Sequence, residues 1–380
     1  MSPTTQLSTG FSSQKNIGLD KQTLNGRLSY NWFPIKNTTN TLDLINLQYV
    51  RNLNPGNYFN VYQNSFNRLE TIALYSYPTP AEFLISQSDG SSSLDSSRAD
   101  DFIGTVSSDA NFLASNPSEY QVVRNIRERK NRLIQNNFIL ASNFNLTKDT
   151  RENNFDTDFS IFRLKLEMAG NLLNGAADLL DLKKNENGEF EVNDVAFSQY
   201  AKTEIDYIKL WNLGRSNVLA LRSFVGIALP LGNSKTIPFS KSFFAGGAND
   251  NRAWTAYNLG PGSSDNNNEF NEANLKIAFS LEHRYNLFGN LNGAFFVDAG
   301  NIWNVLDDVE NPKATFDSFD SLKDIAVGAG IGLRYDFGFF ILRLDTGFKA
   351  YNPTYSINNR WLKDFNFSNA VYNFGINYPF

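Results

Sequence analysis

The sequence predicts an all-β protein, a transmembrane antiparallel β-barrel, and three observations carry that prediction. Apolar and polar residues alternate in about twelve segments, and a period of two is that of a strand. No stretch reaches the roughly 18 uninterrupted apolar residues of a membrane helix, so a membrane could be crossed only by strands. The face opposite the apolar one is rich in glycine and carries charges of both signs, whereas the outer face of a soluble sandwich would be dominated by long charged residues.

In chain order, strands are expected at 5–14, 22–33, 41–51, 134–147, 157–168, 199–212 and 217–230. Those that follow are clearer still. In 274–285, Leu275, Ile277, Phe279, Leu281, His283 and Tyr285 share one face, and Lys276, Ser280, Glu282 and Arg284 share the other. Phe295, Val297 and Ala299 oppose Phe296 and Asp298; Val327, Ala329, Ile331, Leu333 and Tyr335 oppose Gly328, Gly330, Gly332 and Arg334. Phe340, Leu342, Leu344 and Phe348 oppose Arg343, Asp345 and Gly347. The last strand sets Tyr372, Phe374, Ile376, Tyr378 and Phe380 against Asn373, Gly375 and Asn377. Charges on the polar face can pair across an enclosed lumen, and Trp32, Tyr285, Tyr335 and Tyr378 on the apolar face suit headgroup-level girdles.

The connections alternate in length. Short links (34–40, 213–216, 286–290, 336–338) separate long ones (52–133, 169–198, 231–269, 304–324, 349–368), the asymmetry of periplasmic turns and extracellular loops. Asn116, Pro117 and Glu119 read as N-cap, first helical residue and capping-box partner of a helix running to Arg132, and 169–182 also reads as helical. Arg124, Arg127, Arg129, Lys130 and Arg132 make the first helix basic, either a solvated face or a contact for lipid phosphates. The serine- and aspartate-rich stretch 88–101 reads as a mobile loop, and a hairpin around 70–76 and 81–85 is an alternative for part of 52–133.

Composition excludes several functions. The chain has no Cys and a single His, which removes disulfides, thiolate chemistry and a multi-histidine metal site, so neither metal nor cofactor is expected. A net charge of −5 argues against a nucleic-acid partner. His283 would be the base of a hydrolase, yet its parity puts it on the apolar face beside a short turn, and no enzyme activity is expected. The spacing of Gly328, Gly330 and Gly332 makes room inside the barrel rather than binding phosphate.

One stretch is unlike the strands. Phe243 to Gly262, FFAGGANDNRAWTAYNLGPG, carries two adjacent glycines, an arginine near a tryptophan, and a second glycine-rich turn. Such a segment folds sharply and holds a charge that needs a partner. It resembles the sixth extracellular loop of the BamA/TamA family of outer-membrane assembly proteins. The resemblance rests on Gly246 and Gly247, then Asn251-Arg252-Ala253-Trp254 where the family has Val-Arg-Gly-aromatic, then Leu259-Gly260-Pro261. Arginine and aromatic are kept; Ala253 in place of glycine implies a loop tip that differs in detail. FFVDAGNIW (295–303) resembles the family strand whose aspartate falls on Asp298. YNFGINYPF (372–380), with Asn373, Gly375, Tyr378 and Phe380, resembles the terminal signal that barrel-assembly machinery reads.

The resemblance implies that the loop, 231–269, folds inward and that Arg252 pairs with Glu282 and Asp298. It implies a barrel of sixteen strands preceded by periplasmic domains, so with about twelve legible the expectation is one barrel domain over 1–380 whose amino-terminal part is missing. It implies a catalyst of membrane insertion in the bacterial outer membrane. The partners implied are outer-membrane lipids and lipopolysaccharide, unfolded outer-membrane clients, and accessory lipoproteins or periplasmic subunits. A two-partner-secretion-like or passive channel is the alternative.

Overall fold

Among the described residues, twelve strands build one sheet: β1 (Thr4–Lys15), β2 (Asp20–Trp32), β3 (Thr38–Asn52), β4 (Asn137–Asp149), β5 (Ser160–Ala169), β6 (Tyr200–Gly214), β7 (Asn217–Pro230), β8 (Leu275–Phe288), β9 (Leu291–Trp303), β10 (Ala326–Asp336), β11 (Ile341–Tyr351) and β12 (Val371–Ile376). They lie in chain order, and among the described residues the two end strands are not paired with each other. From β4 to β12 each pairs antiparallel with the next. The structure is a computed structural model that describes residues 2–15, 20–88, 90–153, 156–264, 271–309 and 311–380. No helix among them is long and apolar enough to cross a membrane, which leaves strands free to do so.

The chain divides into two compact units, residues 1–9, 26–47 and 138–380 in one, residues 10–25 and 48–137 in the other. In the first, alternation sorts the side chains as the sequence requires. Ile205, Val225, Phe279, Phe295, Ile331, Leu344 and Phe374 are exposed on one face, far more apolar surface than a soluble monomer leaves uncovered. His283 lies on that face and stacks on Tyr285 at 5.7 Å. Arg284, Asp298, Arg334, Arg343 and Asp345 are buried on the other, inner face. Between β6 and β7, Arg215 and Ser216 both take positive φ (51° and 60°), the left-handed pair that a two-residue hairpin needs to match strand twist.

Register brings the site together. Glu282 lies opposite Phe296, Phe296 opposite Gly330, and Gly330 opposite Gly347. One row away, Arg284 faces Ala294, Ala294 faces Gly332, Gly332 faces Asp345, and Asp345 faces Asn373. Each row thus has charged or aromatic groups standing beside residues with little or no side chain, so the wall is hollowed where a loop can enter.

The second unit corrects several expectations. Residues 70–75 belong to helix α1 (Gln63–Tyr75), not to a hairpin; only 84–86 and 92–94 pair as short strands. The stretch read as a mobile loop continues into α2 (Ala99–Ser107), and Asp89 lies outside the described residues. After α3 (Ala110–Ser115), the predicted basic helix is α4 (Pro117–Ile134), but Asn116 makes no side-chain cap bond. Its charges are not all solvated: Arg129 and Lys130 are buried, Lys130 pairing with Asp100 and lying 4.7 Å from the Phe59 ring. The reason is an aromatic core of Tyr58, Leu69, Phe102, Val106, Phe112 and Ile126, over which the long aliphatic stems lie. In the first unit, the helix expected over 169–182 shrinks to Asn171–Gly175.

One cap in the second unit yields a prediction. The Asp109 carboxylate accepts from the N–H groups of Asn111 and Phe112 at 2.9 and 3.1 Å, satisfying two free donors at the start of α3. Asp109→Ala is expected to cost about 1 kcal/mol, read as a lowered urea midpoint, while Asp109→Asn costs less.

Candidate functional site

The stretch 243–262 folds back against the inner face. Gly246 and Gly247 (φ 91° and 104°) make the turn, and the Gly247 N–H donates to the Trp254 carbonyl at 2.8 Å, closing the tip on itself. A Cβ on Gly246 would run into the Thr255 carbonyl, so no other residue fits. Asp250 accepts from the Gly246 N–H at 2.7 Å and pairs with Lys276 of β8 at 3.1 Å, fixing the entry to the sheet. Ile237, Phe243, Ala245, Trp254 and Leu259 bury their side chains in an apolar cluster with Ile139, Ala169, Tyr200 and Ile302. At the exit, Gly260 and Pro261 lead into Gly262, whose N–H donates to the Ile302 carbonyl at 2.8 Å. Residues 265–269 of the predicted loop lie outside the described residues.

This packing delivers Arg252, 1 % exposed, to the carboxylates of β8 and β9. Its Nε donates to Asp298 Oδ2 at 2.8 Å, its Nη2 to Asp298 Oδ1 at 2.9 Å, and its backbone N–H to Asp298 Oδ2 at 3.1 Å. Nη1 donates to Glu282 Oε2, and the guanidinium carbon stands 3.5 Å from the Phe296 ring centroid. Such charge-assisted bonds contribute about 1.5–3 kcal/mol each, and the ring face adds a cation–π attraction.

The cluster extends further. Glu282 also accepts from Arg284 Nε at 2.8 Å and from Arg334 Nη2 at 3.1 Å. Arg334 Nη1 donates to Asp345 at 2.6 Å, and Arg343 stands 3.4 Å from Asp345 while donating to Asn249 of the loop at 2.7 Å. Within this cluster four guanidiniums (252, 284, 334, 343) face three carboxylates (282, 298, 345).

The backbone of the loop tip is gripped as well. Asn373 of β12 donates to the Arg252 carbonyl at 2.9 Å. The strand wall is bare where the tip rests: a Cβ on Gly347 would lie 2.7 Å from the Arg252 carbonyl carbon, and one on Gly328 would lie 2.6 Å from the Ala253 Cβ. Ala253 itself has no positive φ, so its methyl is tolerated, filling the space that Gly328 leaves.

A folded-in arginine loop on a sheet of this kind can be compared with known families. The profile of the Omp85 superfamily domain matches residues 4–376. The chain belongs to the Omp85 superfamily. Among solved structures, the Omp85 chain is similar to BamA from Haemophilus ducreyi lacking POTRA domains 1-3, with 12% identity and a TM-score of 0.51, over 94% of this chain and 54% of that one. This chain thus spans about half of that structure's length, and at such identity the likeness is one of fold. CdiB from Escherichia coli (11% identity, TM-score 0.43, 91% and 45% covered) and CdiB from Acinetobacter baumannii (12%, 0.31, 97% and 53%) are also similar. No curated protein matches the chain.

In this Omp85 chain, Arg252, Glu282 and Asp298 converge, with Gly246, Gly247, Trp254, Gly260 and Pro261 in the loop that carries the arginine. Glycines 328, 330 and 332 do different jobs: Gly328 receives the loop, Gly330 the Phe296 ring, and Gly332 the Arg334–Asp345 pair. Asn373 and Gly375 stay in β12, where Gly375 leaves space for the Arg343 guanidinium. Tyr378 and Phe380 depart from expectation. β12 ends at Ile376, Asn377 takes φ 65°, and the Tyr378 ring turns inward to lie 3.9 Å from the Arg284 guanidinium carbon. It is therefore no girdle residue.

Alternation placed Arg284, Arg334, Arg343 and Asp345 on the inner face without showing that they join one cluster, and it gave no hint of Asn249. Cross-strand register alone puts them within reach of one another.

Proposed function

We propose that this chain is the membrane-embedded part of an outer-membrane assembly or translocation factor, one that adds a client strand at the edge of its last strand and performs no covalent chemistry. One observation carries the reading: β12 is a six-residue strand whose inner side is held by the arginine loop through Asn373, while its neighbour β11 has eleven residues. A strand whose ladder to β11 runs over only six residues is the piece of the sheet that can yield its place, and in hydrocarbon an unpaired backbone edge templates pairing strongly. Membership of the Omp85 superfamily and the wide apolar outer face support a bacterial outer-membrane location with lipid, including lipopolysaccharide, around the sheet. Clients are unfolded outer-membrane polypeptides, delivered by lipoprotein or periplasmic subunits.

The chain has no cysteine, which makes the test clean. Single cysteines at Tyr372, Phe374 and Ile376, all exposed on β12, are expected to cross-link to a single-cysteine client strand during assembly; Leu333→Cys, exposed in mid-sheet, is not. Equal yields at Leu333→Cys would remove the proposal. The channel alternative has its own signature in planar bilayers: a steady conductance that Arg252→Ala leaves unchanged. The latch reading expects Arg252→Ala to raise conductance, because the loop then leaves the inner face.

A further inference from the structure

The connection from β11 to β12, residues 352–370, is held by a polar frame and yet wears its apolar side chains outward. Arg360, buried, donates through Nη1 to the Asp324 carboxylate at 2.8 Å and to the Lys323 carbonyl at 3.0 Å, and through Nε to the Tyr355 carbonyl at 3.0 Å. Asp364 is buried too, accepting from Asn352 Nδ2 at 2.8 Å and from the Tyr355 hydroxyl at 3.1 Å. The Leu362 N–H donates to the Ala350 carbonyl at 2.8 Å, which ties the segment back onto β11. Outside this frame Trp361, Leu362, Phe365 and Phe367 stand 65, 61, 45 and 72 % exposed. Leu362 holds φ 53°, a left-handed conformation that a bulky side chain seldom takes, and still leaves its carbons mostly in the open.

Phe348 sets the direction of that apolar surface. Its parity on β11 is that of Leu342 and Leu344, the outward one, and the rings of Phe365 and Phe367 cover it with centroids 5.1 and 5.2 Å from its own. The connection therefore drapes over the outer face, where its rings continue the apolar surface of Leu344, Tyr372 and Phe374. The strands leave room for it. Trp32, Tyr285 and Tyr335 all stand at the short-link ends of β2, β8 and β10, whereas the last outward positions left half-exposed at the other ends of β9 and β10 are Ala299 and Val327, which carry no ring. A sheet that crosses a bilayer carries amphipathic rings at both interfaces, and here a connection supplies what those strand ends lack.

We infer that residues 361–367 form a lipid-binding plate, which lays Trp361, Leu362, Phe365 and Phe367 into the headgroup layer of the outer leaflet beside β12. Charge fits that depth. Asp364, the one acid in the stretch 360–367, is turned inward to Asn352 and Tyr355, while Lys363 is exposed with Nζ 3.7 Å from the Tyr355 ring centroid, a cation presented where lipid phosphates lie. The plate is fastened independently of β12, through Arg360 and through the Tyr351 hydroxyl, which donates to the Lys323 carbonyl at 2.7 Å. β12 begins at Val371, just past it, so lipid contact steadies the leading end of a six-residue strand. The inference rests on the outer-membrane reading of the sheet and adds which segment the headgroups touch.

The test uses Leu362→Cys carrying an environment-sensitive fluorophore, in the full chain reconstituted into phosphatidylcholine vesicles that contain a nitroxide-bearing lipid. A nitroxide on the headgroup is expected to remove most of the emission, a nitroxide deep in the acyl chain to remove less, and aqueous iodide to remove little. Leu333→Cys, exposed in mid-sheet on the outward face, should show the reverse preference between the two nitroxides, and Glu186→Cys, exposed in the polar stretch between β5 and β6, should respond to iodide alone. A Leu362 probe that behaves as the Glu186 probe does faces water, as a surface for a soluble protein would, and overturns the inference. Trp361→Cys repeats the measurement should Leu362→Cys fail to fold. The Leu333 probe separates the two readings. If it responds to a nitroxide and the Leu362 probe does not, the plate alone is lost; if neither responds, the outer-membrane reading falls with it.

Discussion

Arg252→Ala is expected to destabilise the protein by about 3–5 kcal/mol, the usual consequence of stripping one partner from a buried ion pair. The loss will not fall evenly on the two carboxylates. Glu282 keeps Arg284 and Arg334, whereas Asp298 loses the guanidinium that makes two side-chain bonds to it and, among the described residues, has no second arginine as a replacement. The asymmetry yields a sharper expectation. Adding Asp298→Asn to Arg252→Ala removes the orphaned charge and recovers most of the loss, while adding Glu282→Gln deepens it by depriving Arg284 and Arg334 of their shared acceptor. Arg252→Glu should be worse than alanine, since it places a fourth carboxylate beside three buried ones. Heat-modifiable electrophoretic mobility and the unfolding midpoint in detergent read all four variants. If Glu282→Gln rescues and Asp298→Asn does not, the assignment of Asp298 as the dependent partner is wrong. Loss of both carboxylates together should impair assembly as strongly as loss of the arginine.

Gly347→Ala should unseat the same loop with no change of charge. The added methyl would come within 2.7 Å of the Arg252 carbonyl carbon and 2.9 Å of the Ala253 nitrogen. Both obstacles are backbone, so neither can swing aside as a flexible side chain would. Overpacking of this kind costs about 1–3 kcal/mol, and relief requires the loop tip to retreat from β11. Retreat breaks the Asn373 bond to Arg252 and lengthens the fork on Asp298. The expected readout is rapid proteolysis at Lys235 and Lys241, on the loop's ascending limb, in Gly347→Ala but not in the parent chain. Gly104→Ala serves as control, because a Cβ there meets nothing within 4 Å and alanine favours the helix that holds it. Protease resistance in Gly347→Ala would show that the tip does not press on the strand.

Much of the architecture is legible along the chain because strand faces are a local property. Two neighbours on a strand point opposite ways whatever surrounds them, so the inward parity of Glu282, Asp298 and Arg334 can be read directly. Helix and strand inside 52–133 are less legible. Residues 70–76 fit either pattern over so short a window, and burial of their apolar face against Phe102 and Ile126 decides for helix. The basic character of α4 was equally visible, yet which cations are covered depends on aromatic rings many residues away.

What the sequence by itself determined is the strand rhythm, the two faces, and the turn chemistry that throws Arg252 out of the ladder. What only the tertiary structure decided is who meets whom: register sets Arg334 beside Glu282, the bare wall at Gly347 admits the loop tip, and the end of the chain leaves the sheet. Alternation of apolar and polar residues runs on through Phe380, while Asn377, at φ 65°, and Pro379, which has no N–H for a ladder, stop the strand at Ile376. The inward turn follows from a distant guanidinium and a distant apolar patch, each offering the two aromatic rings more than the sheet edge does.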